Sequence, residues 1–143
     1  PINPEKDFIK RCVAVSGDTV VIRDKVLYVN GVPFPDPPGT KFTDPRLLSA
    51  IYSTRDNFGP AVVPRGSIFV LGDNRDNSQD SRFWGFLPIE NVVARPLFIY
   101  FSWAPDPNAP KWESPLSLFS IIFYNITHFP RRIRWSRIGR SVN

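Results

Sequence analysis

Residues 66–82 read GSIFVLGDNRDNSQDSR and place a short apolar run directly before the densest polar segment of the chain. The β-branched and aromatic composition of 66–72 predicts a strand. The segment 72–82 holds three aspartates, two arginines, two asparagines and two serines. Because Asp and Asn side chains hydrogen-bond their own backbone, this composition predicts a rigid loop. Rigid loops on β scaffolds often carry functional sites, although a merely solvated loop has the same composition.

Further strand and turn signals surround this loop and predict a mainly β fold with hairpins. Residues 33–65 are rich in proline, which predicts a long surface excursion with one short helical segment at 45–52. The other segments are a strand at 8–15, a hairpin of 19–23 with 26–29, a tight Asn30-Gly31 turn into 32–34, and a strand-like run at 92–103.

The C-terminal third changes character. Residues 104–111 form a proline-rich linker, and Ser114-Pro115 predicts the start of an amphipathic helix over 114–129, too short to span a bilayer. Its two interpretations are a helix packed on its own domain and a helix lying on a membrane surface. The expected polar stripe is Glu113, Ser117, Ser120, Tyr124, Thr127 and His128, and the expected apolar side is Leu116, Phe119, Ile122, Phe123 and Ile126. We divide the chain at 1–103, 104–130 and 131–143.

The net charge of +5 comes from the C-terminus. Residues 129–143 contain five arginines and no acid, so the rest of the chain has no net charge. We therefore expect no nucleic-acid partner, because phosphate binding needs a basic folded surface, whereas the basic end could meet anionic lipid. The lone Cys12 and lone His128 exclude an internal disulfide and a Cys- or His-rich metal site, and we predict no metal and no cofactor.

Lys10 lies among strand residues, where a charged amine is costly unless it is paired or deprotonated. Period-two alternation places Lys10 on the same face as Cys12 and Ala14. Desolvation on such a face lowers the pKa of a lysine toward that of a general base. The alternative is a strand lysine whose amine reaches solvent.

Two segments together resemble a known family. GDNRDNSQDSRFWGFLP at 72–88 closely resembles the signature of the catalytic region of bacterial type I signal peptidases, and DFIKRCVAVSGDTV at 7–20 resembles their lysine box. The order of the two, the hairpins between them and RWSRIG at 134–139 also match. The resemblance implies a β fold shared with self-cleaving repressors, and a membrane-associated serine endopeptidase with a Ser–Lys dyad. Such enzymes, here most like those of Gram-negative bacteria, remove signal peptides from exported preproteins at the outer, periplasmic face of the cytoplasmic membrane.

Carried over by position, the resemblance gives a role to each motif residue. Lys10 matches the general base, and Ser78 matches the serine whose hydroxyl orients the base. The remaining matches support the loop: Arg11 with Asp73 as one ion pair, Asp80 with Arg82 as a second, and Asn74 and Asn77, together with Gly72 and Ser81, in structural roles.

Three departures from the family pattern matter. Ser16 stands where the family pattern has the proline of a turn, and we expect this change to affect only that turn. Residues 1–9 contain no serine, so we expect the nucleophile and the membrane anchor to lie before Pro1 and this fragment alone to be inactive. The stretch 104–130 looks like an insertion. Two alternatives are a self-cleaving repressor-type domain, which shares the fold and chemistry, and a non-catalytic module that binds a membrane surface.

Overall fold

The structure is a computed structural model that describes residues 7–97, 99–104, 106–112, 114–115 and 117–141. These residues divide into two compact units, Pro1–Val93 and Ala94–Asn143. The segment boundaries expected from the sequence, at 103/104 and 130/131, stay predictions.

The first unit is mainly β, as predicted. It contains two antiparallel sheets, of three and four strands. The strands are β1 (Arg11–Val15), β2 (Thr19–Arg23), β3 (Val26–Val29), β4 (Val32–Pro33), β5 (Phe58–Val62), β6 (Ser67–Leu71) and β7 (Leu87–Pro88), in the orders β1-β6-β7 and β4-β3-β2-β5. A short helix, α1 (Ser81–Trp84), follows the polar loop.

The predicted hairpins are confirmed. Strands β2 and β3 pair with Val20 opposite Val29, and the turn residues Asp24 and Lys25 have φ values of 47° and 72°. Two successive positive φ angles match the right-handed twist of the flanking strands, which is why such turns close two-residue hairpins. The Asn30-Gly31 turn into β4 has the same character.

Side chains from both sheets form the core of the first unit. Phe69 on β6 is fully buried, and its ring lies 5.1 Å from the Phe58 ring and 6.1 Å from the Phe86 ring, measured between centroids. The buried cluster comprises Val13, Ala14, Val20, Ile22, Leu27, Val63, Phe69 and Leu71. Because β1 and β6 both contribute to it, the ends of these two strands are held in register beside the polar loop.

Strand β1 begins at Arg11, and its alternation is interrupted. A register shift lies between Cys12 and Ala14, so that Val13 and Ala14 are both buried while Cys12 is exposed. The predicted common face of Cys12 and Ala14 is therefore wrong, because a bulge places two successive residues on one side of the strand.

Two other sequence predictions are also wrong. Residues 45–52 contain only a turn, in which Tyr52 N donates to the Ser49 carbonyl. The reason is that the backbone of Leu48 is bonded to side chains of the next segment: its N–H donates to Asp56 and its carbonyl accepts from Asn57. The described residues of 92–103 form no strand and pair instead with the C-terminal segment, with Ile99 and Arg140 joined through the backbone.

The second unit contains the predicted helix, displaced toward the C-terminus as α2 (Ser117–Arg132). Ser117 donates its backbone N–H and its hydroxyl to the Ser114 carbonyl, so Ser114 contributes its backbone to the helix start. The predictions for Glu113 and Leu116 fall outside the described residues. In the described part of the chain, no helix combines the length and apolar character that crossing a bilayer requires.

Candidate active site

Lys10 and Ser78 meet at the end of the β1–β6 pair. Arg11 lies opposite Leu71 in the ladder, so Lys10 comes beside Gly72, where the polar loop begins. The loop then folds back, and Lys10 Nζ donates a hydrogen bond of 2.7 Å to Ser78 Oγ. Residues 68 positions apart in sequence are thus joined by the two elements that the sequence singled out.

Gly72 leaves the space that this contact needs. A Cβ at position 72 would lie 2.6 Å from Ser78 Cβ and 3.4 Å from Lys10 Nζ. Real Cβ atoms do not approach other carbons as closely as the first of these distances, so any side chain at 72 would displace Ser78. Glycine here is required by close packing.

The environment of Lys10 favours its neutral form. Burial desolvates the ammonium and lowers the pKa of Lys10 below its ordinary value. The negative charge of Asp80 opposes this shift, and the positive charge of Arg82 adds to it.

Asp80 is the buried centre of the loop. Its side chain is fully buried and accepts hydrogen bonds from Gly72 N at 3.1 Å, from Arg82 N at 3.3 Å and from the Arg82 guanidinium at 2.8 Å. Burial would raise the pKa of Asp80, but these bonds and the Arg82 charge outweigh it and hold that pKa below its ordinary value. The charges of the buried Asp80–Arg82 pair thus act on the Lys10 amine, which is hydrogen-bonded to Ser78.

Arg82 joins this loop to its neighbours. Its guanidinium binds both carboxylate oxygens of Asp80 and donates to the carbonyls of Arg55, at 2.7 Å, and Arg75, at 2.6 Å, with 3% of its side chain exposed. The pair Arg11–Asp73 is also bidentate, at 2.9 and 3.2 Å, and lies nearer to solvent. The structure thus brings together both ion pairs that the resemblance implies.

Asn74 and Asn77 shape the same loop. The Asn74 side-chain oxygen accepts from Asn77 N at 3.3 Å and from Thr43 Oγ1 at 3.4 Å. Asn74 also forms an isolated bridge with Lys41, which ties the loop to the segment after β4.

A second charged cluster on the far side of Arg82 was missed in the sequence. Lys25 Nζ binds Asp76 at 2.7 Å, and Arg55 binds Asp56 at 2.7 Å and Asp44 at 2.9 Å. Asp76 also accepts from Asp44 N at 2.8 Å. No signal in the sequence links these residues, because they come from a hairpin turn, an irregular segment and the polar loop. The cluster binds Asp76, two residues before Ser78, and in this way holds the loop that carries Ser78.

Nothing in the described ranges suggests a metal centre: no group of three or more His, Cys, Asp and Glu side chains is placed to hold an ion.

Comparison with known proteins places this site in a family. The family model described as "Signal peptidase, peptidase S26" matches residues 1–103. The chain belongs to this signal peptidase family. The family prediction made from residues 7–20 and 72–88 is therefore confirmed.

Individual relatives agree with this assignment. The chain is 48% identical over 81 residues to signal peptidase I of Aquifex aeolicus, covering 57% of this chain and 30% of that protein. It is 45% identical over 99 residues to the chloroplastic thylakoidal processing peptidase 1 of Arabidopsis thaliana, covering 69% and 25%. Signal peptidase I of Bacillus caldolyticus is 38% identical over 103 residues, covering 69% and 56%. The chain thus spans between a quarter and about half of the length of these relatives.

A solved structure is also similar. The crystal structure of a signal peptidase I from Enterococcus faecalis V583 matches with a TM-score of 0.49 and 30% identity, covering 63% of this chain and 84% of that one.

Proposed function

We propose that this chain supplies the general base of a membrane-associated serine endopeptidase that removes signal peptides from exported preproteins. The observation that carries the proposal is the hydrogen bond from Lys10 to Ser78 beside the buried Asp80–Arg82 pair, in a chain of the signal peptidase family. The substrate class comes from the family, and the chemistry comes from the geometry around Lys10.

In the proposed mechanism, the neutral Lys10 amine takes the proton of a nucleophilic serine as its oxygen attacks the scissile carbonyl. The resulting ammonium then gives this proton to the departing amine, and the amine acts again as base when water hydrolyses the acyl-enzyme. The lowered pKa of Lys10 increases the fraction of neutral amine available at the working pH.

Ser78 acts in this proposal as an orienting group. Its oxygen accepts the hydrogen bond that Lys10 Nζ donates at 2.7 Å. The amine is thereby held in one direction. Its lone pair stays free to accept the proton of a reacting group.

Ser81, the other serine of the polar segment, is already committed to another bond, because it is buried and accepts from Val70 N at 3.0 Å. Ser16 lies at the opposite end of the β1–β6 pair, where it accepts from Gly66 N at 3.0 Å and donates to the Ser67 carbonyl. The proposal therefore places the nucleophile, with the anchor that holds the enzyme at the outer face of the cytoplasmic membrane, in another segment of a longer protein. The chain by itself is then inactive.

The test is preprotein cleavage by the longer protein with Lys10→Ala. Loss of a general base lowers the rate by at least ~10²–10⁴-fold. Lys41→Ala is the matched control, because the Lys41 side chain is exposed and only its backbone takes part in the site. We expect the control to cleave at the normal rate. Near-normal cleavage by a folded Lys10→Ala protein would remove Lys10 from the mechanism.

A further inference from the structure

Helix α2 turns its polar side toward its own unit. Ile121, Tyr124, Asn125 and His128 are half-buried, and they recur at the spacing of one helix face. Tyr124 donates its hydroxyl to Asp106 at 2.7 Å, and Arg132 donates to the Asn125 side chain at 2.7 Å. The second of these bonds lies within the helix. The helix is held in its unit by the Tyr124–Asp106 bond and by Trp103, whose ring lies 4.4 Å from the Arg132 guanidinium and 5.6 Å from the Phe129 ring.

The opposite face of α2 is apolar and exposed. Phe119 is the most exposed of its residues, at 74%. With 3.6 residues per turn, the apolar residues cover less than half of the helix circumference and form one continuous patch. The patch consists of Leu118, Phe119, Ile122, Phe123, Ile126 and Phe129. This arrangement is the reverse of that of a helix in a soluble domain, where the apolar stripe packs on the core.

The segment after this apolar face is strongly basic. Residues 129–143 contain five arginines and no acid, and Arg131, Arg137 and Arg140 are exposed. The exposed Trp135 lies among them. An apolar helix face with adjoining arginines and an indole is the composition of helices that lie in the interface of an anionic membrane.

We propose that α2 lies in the plane of an anionic lipid bilayer, with its apolar face among the acyl chains and the arginines at the headgroups. A second copy of the same helix and basic segment is the less suitable occupant, because residues 117–143 contain no acid to pair with the arginines, whereas anionic headgroups can pair with them. The inference goes beyond the peptidase proposal and does not depend on Lys10. It concerns how the second unit meets the membrane surface.

The test is co-sedimentation of the 143-residue chain with vesicles of phosphatidylcholine, with and without phosphatidylglycerol, at low and high salt. We expect binding to the anionic vesicles that weakens as salt rises. Phe119→Ser with Ile126→Ser is expected to weaken it by about tenfold or more, because two large side chains no longer enter the acyl region. The matched control is Ile51→Ser with Tyr52→Ser, at positions 88% and 85% exposed but outside α2, and it is expected to bind normally.

The contribution of charge is tested in the same assay. Arg137→Gln with Arg140→Gln is expected to weaken binding about 25-fold, at about fivefold per arginine. Arg23→Gln with Arg65→Gln removes the same net charge from exposed positions of the first unit and is expected to have little effect. The proposal is overturned if the chain ignores anionic vesicles at low salt, or if the two pairs of arginines matter equally. Sedimentation velocity adds a third outcome: a dimer that Phe119→Ser with Ile126→Ser abolishes would assign the face to a second copy.

Discussion

At the scale of a single residue, the environment of Lys10 acts on its pKa in opposite directions. Burial lowers its pKa, the nearby Arg82 charge lowers it further, and Asp80 raises it. Since Arg82 also neutralises Asp80 through a bidentate pair, the carboxylate does not restore the ordinary pKa of the lysine. A buried ion pair near the base is therefore consistent with a general base.

This balance predicts a pH dependence that can be measured on the chain itself. By NMR titration of the lysine side chains, we expect the pKa of Lys10 to lie below the ordinary lysine value of 10.5. Because the pKa is lower in the folded state, the unfolded chain binds more protons between the lowered value and 10.5, so stability rises with pH across that window. Lys10→Ala should abolish this rise in urea unfolding measurements. A Lys10 pKa of 10.5 or above would contradict the proposed neutral base.

At the scale of elements, the loop between β6 and α1 is held by buried charge. Arg82 contacts Asp80 and two backbone carbonyls, so removing the guanidinium takes the charged partner from Asp80 and a donor from each carbonyl. Breaking a buried pair leaves an uncompensated charge, which costs ~3–5 kcal/mol. We therefore expect Arg82→Ala to lower the free energy of unfolding by about this amount in urea titrations.

Arg46→Ala is the matched control for this prediction. Arg46 makes a bidentate pair with Asp44 at 2.9 Å, but its side chain is 79% exposed. An exposed pair contributes ~0–1 kcal/mol. If Arg82→Ala unfolds at the same urea concentration as the unsubstituted chain, the pair does not hold the loop and Arg82 has another role.

The elements also show what the sequence could and could not predict. The hairpins β2–β3 and β3–β4 were predictable because their turns carry residues that accept positive φ angles, as at Asn30-Gly31. Strand β5 was not, because Gly59 and Pro60 interrupt its pattern and its partner β2 lies far away in sequence. The predicted helix at 45–52 does not form, because bonds from the backbone of Leu48 to the side chains of Asp56 and Asn57 outweigh local propensity.

The candidate site also contains contacts that the sequence predicted and contacts that it could not predict. The pairing of Lys10 with Ser78 and of Arg11 with Asp73 followed from the resemblance of two motifs and agrees with the structure. The cluster around Lys25 and Asp76 could not be found, because a lysine in a hairpin turn usually faces solvent. Only the folded arrangement brings that turn against the polar loop.

At the scale of the whole molecule, the two units differ in how they are stabilised. The core cluster and the Lys10–Ser78 contact both lie within Pro1–Val93. Among the described residues of Ala94–Asn143, Ile133 is the buried hydrophobic side chain, and the larger apolar residues of α2 are exposed. Hydrophobic burial therefore supports the first unit far more than the second.

This difference predicts how the chain behaves when it is divided at residue 93. We expect residues 1–93 to unfold cooperatively in urea with a free energy of ~5 kcal/mol or more, as for a small domain with its own core. Residues 94–143 should lose helix gradually, because exposed backbone hydrogen bonds without a core open at low free energy. In the second fragment, circular dichroism at 222 nm measures the helix content of α2. In the first fragment, near-ultraviolet circular dichroism reports the packing of the aromatic side chains around Phe69. If residues 1–93 are unfolded while the 143-residue chain is folded, residue 93 is not a folding boundary, and the core of the first unit needs the segment that follows it.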